Sequence, residues 1–157
     1  MGAHLEEIEL GARFQTSRRT VTEADIVNFA GVSGDFNPLH VDELFAREQT
    51  PFDGRIAHGP LVLSMSYGLR SVRDDWRILA LASCERSFRS PVYPGDTVWG
   101  EYEVLERRVS RSRAGIGFVT LGVSIHSDRG EIVQEGRDVL MVASRTDGPA
   151  AAEGNDV

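Results

Sequence analysis

The sequence contains no lysine, because all 17 of its basic residues are arginine. This lack excludes a Schiff base on a lysine of this sequence, and with it pyridoxal chemistry anchored in that way. It also excludes a Walker-type phosphate-binding loop, which needs a lysine to contact the terminal phosphates of a nucleotide. Two large classes of enzyme chemistry are therefore removed by composition alone.

Cysteine and long apolar runs are also scarce. Cys84 is the only cysteine, so the sequence supports neither an intrachain disulfide nor a cluster of thiolate metal ligands. The longest apolar runs, such as ILALA and VLMVA, are far shorter than the roughly 20 residues that span a bilayer. The opening MGAHLEEIEL carries acids and lacks the apolar core of a signal peptide. We therefore expect a soluble cytoplasmic protein with no membrane partner.

Acidic residues outnumber basic ones. The formal net charge of −7 argues against a nucleic-acid partner, because phosphate binding requires a basic surface. The length of 157 residues, with 41% hydrophobic and 26% charged residues, is typical of one ordinary globular domain. We expect residues 1–145 to form that domain. The tail 146–157 is small and polar, and we expect it to be disordered.

The first half of the sequence predicts a strand followed by helices. Residues 13–21 have strand composition, and Thr22 begins a capping-box pattern before an apolar-faced helix that the glycines of GVSG end. Asp42 is placed to cap a short helix, ELFAR. A further helix, GPLVLSMSYGLRSV, begins at Gly59 and carries no charge in its first three turns. Such a helix is normally buried.

In the second half of the sequence, apolar residues recur at every second position instead of at helical spacing. Four strands are predicted, at 76–89, 96–107, 114–126 and 131–143, with turns at YPGD, SRSR and SDRGE. A strand, then helices, then a run of antiparallel strands predicts an α+β domain in which a curled sheet packs on one buried helix. Because an open edge strand invites pairing with another chain, we expect a homodimer or higher homo-oligomer with a sheet continuous across two chains.

The stretch DFNPLHVD, between the first two predicted helices, combines side chains that can move protons with a stiff backbone. Pro38 fixes its own φ and pushes Asn37 toward extended backbone, so Asp35 and His40 are presented from a rigid loop. The Asn37 side chain can bond backbone or solvent and so set the loop. Asp35 also fits a plain Asx turn, in which its carboxylate bonds the backbone two residues on.

In combination, DFNPLHVD, IAHG at the opening of an apolar helix and FRSPVYPGD resemble the MaoC-like dehydratases and (R)-specific enoyl-CoA hydratases. The resemblance runs from about Gly11 to Ala143. It implies the hot-dog fold, a sheet wrapped around a central helix. It also implies reversible syn addition of water to a trans-2-enoyl thioester, giving an (R)-3-hydroxyacyl-CoA. The substrate is then an acyl-CoA or acyl carrier protein thioester, with no further cofactor and no metal.

By this resemblance, Asp35 and His40 are the catalytic side chains and the backbone N–H of Gly59 is the oxyanion donor. The chemistry agrees with that assignment. Hydration needs a base for water, an acid for the α-carbon and a donor for the charge on the thioester oxygen, and Asp and His can serve as the proton groups. Gly59 lies at a predicted helix N-terminus, where free N–H groups and the positive dipole end point outward.

The sequence departs from the family pattern on the central helix. Some of these hydratases have a serine there that hydrogen-bonds the catalytic carboxylate. The corresponding position is Tyr67, with Ser64 and Ser66 nearby. Tyr67 and Ser64 are the candidate supporting residues, although the default interpretation of each is a packing residue with a satisfied hydroxyl. His58, which precedes Gly59, is expected to brace the loop rather than to do chemistry.

Arginines are the candidates for binding the phosphates of coenzyme A, because the guanidinium suits phosphate. One candidate patch is the run RRVSRSR, which contains Arg107 and Arg108 and reads otherwise as a solvated hairpin loop. Arg86 and Arg89, at the end of a predicted strand, are the rival candidates.

Several other functions fit parts of the sequence. His40, Asp42 and His58 could bind zinc or iron, although their spacing matches no known metal motif. A hot-dog thioesterase usually needs a carboxylate on or near the central helix, and PLVLSMSYGLR has none. A non-catalytic subunit of a heterodimeric dehydratase has no need of all three catalytic groups. A small-molecule binding module would hold acyl-CoA tightly without turnover.

Overall fold

The protein is described here by a computed structural model, which covers residues 2–146. The tail predicted at 146–157 lies outside the described residues except for Thr146. In this part of the chain there are four α-helices, six strands and two short 3-10 turns. The helices are α1 (Glu23–Ser33), α2 (Pro38–Val41), α3 (Glu43–Gln49) and α4 (Gly59–Gly68). The strands are β1 (Arg13–Gln15), β2 (Arg19–Thr20), β3 (Ile78–Phe88), β4 (Thr97–Val109), β5 (Ile116–Ser127) and β6 (Ile132–Ala143).

All described strands belong to one antiparallel sheet. Its order is β1-β4-β5-β6-β3, and β2 pairs with β4 beyond the end of β1. The long strands β4, β5 and β6 occupy the centre, and β3 pairs only with β6. The α+β prediction and the four predicted long strands are confirmed, with bounds that differ by only a few residues.

The core lies between the sheet and α4. In β4 and β5, buried and partly exposed residues alternate strictly over most of their length, as a strand with one face on a core requires. Leu61, Val62 and Met65 of α4 belong to the same buried cluster as Val98 and Leu121. Burial of each such side chain contributes roughly 1.5–3 kcal/mol. This packing fixes where α4, and therefore its N-terminus, lies on the sheet.

Two predicted bounds are wrong for local reasons. The first strand is interrupted, because the segment after β1 turns to exchange hydrogen bonds with the end of the central helix: Ser17 N–H donates to Arg70, and Arg70 N–H donates to the Ser17 hydroxyl. The central helix therefore ends at Gly68 and not at Val72. Ser71 then caps a separate 3-10 turn, Val72–Asp75.

The helix that precedes the DFNPLH loop is well capped at both ends. Thr22 accepts a hydrogen bond from the Asp25 N–H while the Asp25 carboxylate accepts from the Thr22 N–H, the reciprocal capping box predicted from the sequence. At the other end Gly34 adopts a left-handed conformation, with φ of 76°, and its N–H bonds the carbonyl of Ala30. The entry to the loop is thereby fixed.

A charged pair with buried side chains lies between β3 and β6. The carboxylate of Asp138 on β6 is fully buried and bonds the Arg86 guanidinium at 2.8 Å, while the Arg86 side chain is only 2% exposed. The Tyr67 hydroxyl of α4 donates to the second carboxylate oxygen at 3.0 Å. Burial raises the pKa of the Tyr67 phenol, so this group stays a neutral donor. The cluster joins α4, β3 and β6.

None of the helices within residues 2–146 has the length and apolar character that crossing a membrane would require.

Removal of the Asp138 carboxylate should destabilise the protein strongly. Asp138→Ala leaves the Arg86 guanidinium buried without a counter-ion, a change that typically costs 3–5 kcal/mol in the free energy of unfolding, here taken as about 4. Urea denaturation of the purified protein measures this loss in the free energy of unfolding. The double variant Asp138→Ala/Arg86→Met removes both charges and should recover a large part of the loss. A loss below about 1 kcal/mol in the single variant, typical of an exposed pair, would contradict this account.

Candidate active site

The DFNPLH loop forms a tight turn followed by one helical turn. Asp35 Oδ1 accepts a hydrogen bond from the Asn37 N–H at 3.2 Å, which is the Asx turn that the sequence allowed. Asn37 in turn caps α2, because its Oδ1 accepts from the Leu39 N–H at 3.0 Å, and Pro38 is the first residue of that helix. The segment is therefore stiff, and only one oxygen of Asp35 is used in building it.

The second oxygen of Asp35 faces His40. His40 lies on α2 and is almost buried, and its Nδ1 is 2.7 Å from the backbone carbonyl of Ile56. Because a carbonyl only accepts, Nδ1 must carry the proton, and a neutral His40 has its lone pair on Nε2. That Nε2 lies 3.9 Å from Asp35 Oδ2. The Asp35 side chain is 52% exposed, so solvent reaches the pair.

His58 connects the loop to the central helix. It is 1% exposed, and its Nε2 lies 3.0 Å from the backbone carbonyl of Asp35, so Nε2–H donates there. Its ring stacks on that of His40, with centroids 3.7 Å apart. The remaining nitrogen, Nδ1, is buried and has no protein partner. These contacts join the DFNPLH loop to the start of α4, and the bracing role of His58 stays a prediction.

Gly59 begins α4 directly after His58. Its N–H has no protein acceptor among the described residues, so it is free to bind an incoming group. A Cβ on Gly59 would lie 2.7 Å from the ring of Phe88, so a larger residue here would have to displace that ring. The Gly59 carbonyl accepts a hydrogen bond from the side chain of Gln134 on β6 at 2.9 Å.

His40 and Gly59 line the same cavity, whose volume is about 370 Å³. Most of its wall is apolar and comes from the segment before α4, from α4 itself and from the ends of β3 and β6. The apolar lining residues are Leu39, Phe52, Ile56, Ala57, Pro60, Val62, Phe88, Pro91, Val92 and Val133. The polar lining residues besides His40 are Arg89, Ser90 and Gln134. The cavity has the size and character of a small-molecule site.

The three groups Asp35, His40 and His58 place potential metal-ligand atoms within 4.8 Å of one another. This set differs from the predicted one, because Asp42 instead caps α3 by accepting from the Phe45 N–H. The geometry suits a metal poorly. The one nitrogen of His58 that is not hydrogen-bonded, Nδ1, has essentially no accessible surface.

Tyr67 and Ser64 do not support Asp35 within this chain. The Tyr67 hydroxyl bonds Asp138, and the Ser64 hydroxyl donates to the carbonyl of Pro60 in its own helix. The reason is distance along α4: eight residues of helix place Tyr67 about 12 Å beyond Gly59. The hydroxyl of Ser66 likewise bonds its own helix, at the carbonyl of Leu63.

Three of the four candidate arginines are engaged away from the cavity. Arg86 is the buried partner of Asp138. Arg107 donates to the backbone carbonyls of Leu5, Glu6 and Ile8 and so anchors the N-terminal segment. Arg108 lies over the ring of Phe118 at 4.4 Å. Only Arg89 lines the cavity, with a half-exposed side chain that pairs with Glu135.

Sequence reasoning missed two residues of the site, Gln134 and Phe88. Both were assigned to strands. Phe88 opens the stretch FRSPVYPGD, which carries part of the family resemblance, but no role was given to its side chain, and Gln134 belongs to no recognisable motif. In the structure the alternation of buried and exposed residues in β6 breaks at this point, where the neighbours Val133 and Gln134 are both buried.

Comparison with known proteins places the chain in a family. Residues 7–125 match the model of the MaoC like domain. The chain is 33% identical over 135 residues to the (R)-specific enoyl-CoA hydratase of Aeromonas caviae, covering 86% of this chain and 96% of that protein. It is 38% identical over 112 residues to protein MaoC of Klebsiella aerogenes, covering 71% of this chain but only 33% of that longer protein.

Among solved structures, a Mycobacterium tuberculosis protein with a double hotdog fold superposes with a TM-score of 0.77. That match covers 99% of this chain and 48% of the other, at 21% identity, and so concerns the fold alone. The chain belongs to the MaoC-like dehydratase family and has the hot-dog fold, as the resemblance of its motifs predicted.

Proposed function

We propose that the protein is a hydro-lyase that adds water reversibly across the trans-2 double bond of an enoyl-CoA thioester, giving an (R)-3-hydroxyacyl-CoA. The observation that carries the proposal is the pair Asp35 Oδ2 and His40 Nε2, 3.9 Å apart, beside a cavity that His40 shares with Gly59. The names of its relatives as hydratases and dehydratases support the reaction class.

In this proposal one water molecule is hydrogen-bonded to both proton-handling groups. Hydrogen bonds of about 2.8 Å to both Asp35 Oδ2 and His40 Nε2 are compatible with their separation. As the water oxygen bonds to the β-carbon, one member of the pair takes the released proton. The electrons of the double bond move toward the thioester oxygen, where the Gly59 N–H stabilises the charge. A proton from the same pair then reaches the α-carbon on the same face, so that one water is added in total.

No further cofactor or metal is needed in this proposal, because the proton groups and the oxyanion donor are all protein atoms. The apolar wall of the cavity suits an acyl group. Coenzyme A and acyl carrier protein are both compatible carriers, and crotonyl-CoA is the simplest probe.

Loss of either proton-handling group should reduce turnover severely. We expect Asp35→Asn and His40→Ala to lower kcat for crotonyl-CoA by about 10²–10⁴, the usual contribution of a positioned acid or base. The assay follows loss of the enoyl-thioester absorbance. The matched control is Asp42→Asn, in the same motif, because asparagine caps α3 as aspartate does. Tight binding of crotonyl-CoA without turnover by the parent would instead indicate a binding module.

We also propose that Arg89 contacts the phosphates of coenzyme A, since it alone of the four candidate arginines lines the cavity. Its guanidinium already pairs with the exposed Glu135, and a phosphate can compete for an exposed pair. Loss of such a contact affects ground-state and transition-state binding alike.

The Arg89→Ala variant should therefore raise KM for crotonyl-CoA about tenfold with little change in kcat, as expected for roughly 1.4 kcal/mol of uniform binding. Arg108→Ala, remote from the cavity, is the control and should leave KM unchanged. Equal KM values for the parent and Arg89→Ala would remove Arg89 from the binding site.

We further propose that two copies associate through β3. Within residues 2–146 no strand pairs with the outer edge of β3, and nearly all of its 11 residues are exposed. Ile78, Leu79, Leu81 and Phe88 are exposed apolar residues on this strand. An unprotected apolar edge of this length is normally covered, and a second copy covers it symmetrically.

Light scattering at micromolar concentration should therefore give a mass at least twice the chain mass of 17.3 kDa. Leu81→Glu should shift the mass toward the monomer by placing charge in the contact. Val72→Glu, at an equally exposed apolar residue outside β3, should not. A parent that already has the monomer mass would rule out this association.

A further inference from the structure

Gln134 is a buried polar residue on the mostly apolar wall of the cavity, and the proposed reaction does not use it directly. It lies on β6 directly opposite Phe88 of β3, and it is 2% exposed. Both residues contact Gly59: Phe88 packs against its Cα, and the Gln134 side chain bonds its carbonyl at 2.9 Å. A cross-strand pair therefore holds the glycine that begins the central helix.

The orientation of the Gln134 amide follows from its partner. The Gly59 carbonyl can only accept a hydrogen bond, so the amide nitrogen must be the atom that faces it. The amide oxygen, Oε1, is left buried and without a protein partner. A buried acceptor without a partner is unfavourable, and an apolar side chain of similar size would fill the same space without that penalty. Packing alone thus gives no reason for a glutamine here.

The position of the hydrogen bond between Gln134 and the Gly59 carbonyl gives a reason for a glutamine. Glycine has the widest conformational freedom of any residue, and a free oxyanion donor on it can turn away from the substrate. The N–H and the carbonyl of Gly59 are joined only through its Cα. A hydrogen bond on the carbonyl and a ring on the Cα together restrict rotation on both sides of that atom. Donors that are already oriented contribute most to stabilising charge in a transition state.

We propose that Gln134 is a positioning residue that orients the N–H of Gly59 toward the thioester oxygen of the substrate. The inference rests on the proposed hydratase function. It assigns to Gln134 no contact with the reacting atoms. Its effect is on the transition state, where the oxygen carries most charge, and not on binding of the ground state.

The first test compares Gln134→Met with Gln134→Glu. Methionine has similar length and no donor, and glutamate keeps the shape of the side chain but removes the N–H group. Full loss of an oxyanion donor typically lowers kcat by about 10²–10³. Misorientation is a smaller change, and we expect both variants to lower kcat for crotonyl-CoA by about 10–100-fold with KM within about threefold of the parent.

The control for stability is Val142→Ala, a buried position on the same strand that lines neither the cavity nor Gly59. It should lower the melting temperature and leave kcat unchanged. If kcat merely follows melting temperature across Gln134→Met, Gln134→Glu and Val142→Ala, Gln134 is a structural residue and the inference is overturned.

A spectroscopic test measures the polarisation of the thioester carbonyl of a bound ligand. In the Asp35→Asn background, bound 2,4-hexadienoyl-CoA should absorb at longer wavelength than the free thioester, because a donor on the carbonyl oxygen polarises the conjugated system. Adding Gln134→Met should reduce this shift while the dissociation constant stays within about threefold. If the wavelength shift is undiminished, this inference is overturned while the proposed function stands. The same holds if the parent is active and the Gln134→Met variant is equally active. A parent that hydrates no enoyl-CoA overturns the proposed function and this inference with it.

Discussion

The hydrogen bond from His58 to the backbone carbonyl of Asp35 joins the two halves of the site. One half is the DFNPLH loop, which carries Asp35 and His40, and the other is the N-terminus of α4, which begins at Gly59. His58 is adjacent to Gly59 in sequence, and its ring also stacks on His40. A single buried side chain therefore sets the distance between the groups that would act on the water and the group that would act on the thioester oxygen.

The rest of the fold holds these two halves in place. The apolar face of α4 packs against the sheet, and the cluster of Tyr67, Arg86 and Asp138 ties its other end to β3 and β6. The His40 ring is held through the carbonyl of Ile56, whose own N–H bonds the carbonyl of Leu39. Rigid support of this kind matters because proton transfer and charge stabilisation both depend on distances fixed before the substrate arrives.

Much of the fold and of the candidate site could be predicted from the sequence, and the residues whose roles could not be predicted share a physical cause. The alternation in β4 and β5 and the capping pattern at Thr22 are local, so they predicted the strands and the first helix. The motif residues Asp35, His40 and Gly59 are separated in sequence but belong to one recognisable pattern. Arg86 and Gln134, by contrast, are polar residues on strands, which normally face solvent. Their roles depend on partners 52 and 75 residues away, Asp138 and Gly59, which no local pattern specifies.

The central claim is that Asp35 and His40 act together on one face of the substrate double bond. Hydration of crotonyl-CoA in D₂O tests it most directly, with the product analysed by proton NMR and by its configuration at C3. The account predicts an R hydroxyl group and a single diastereomer in which deuterium and hydroxyl were added to the same face. An S product, addition to opposite faces or a mixture of diastereomers at C2 formed during turnover would contradict it.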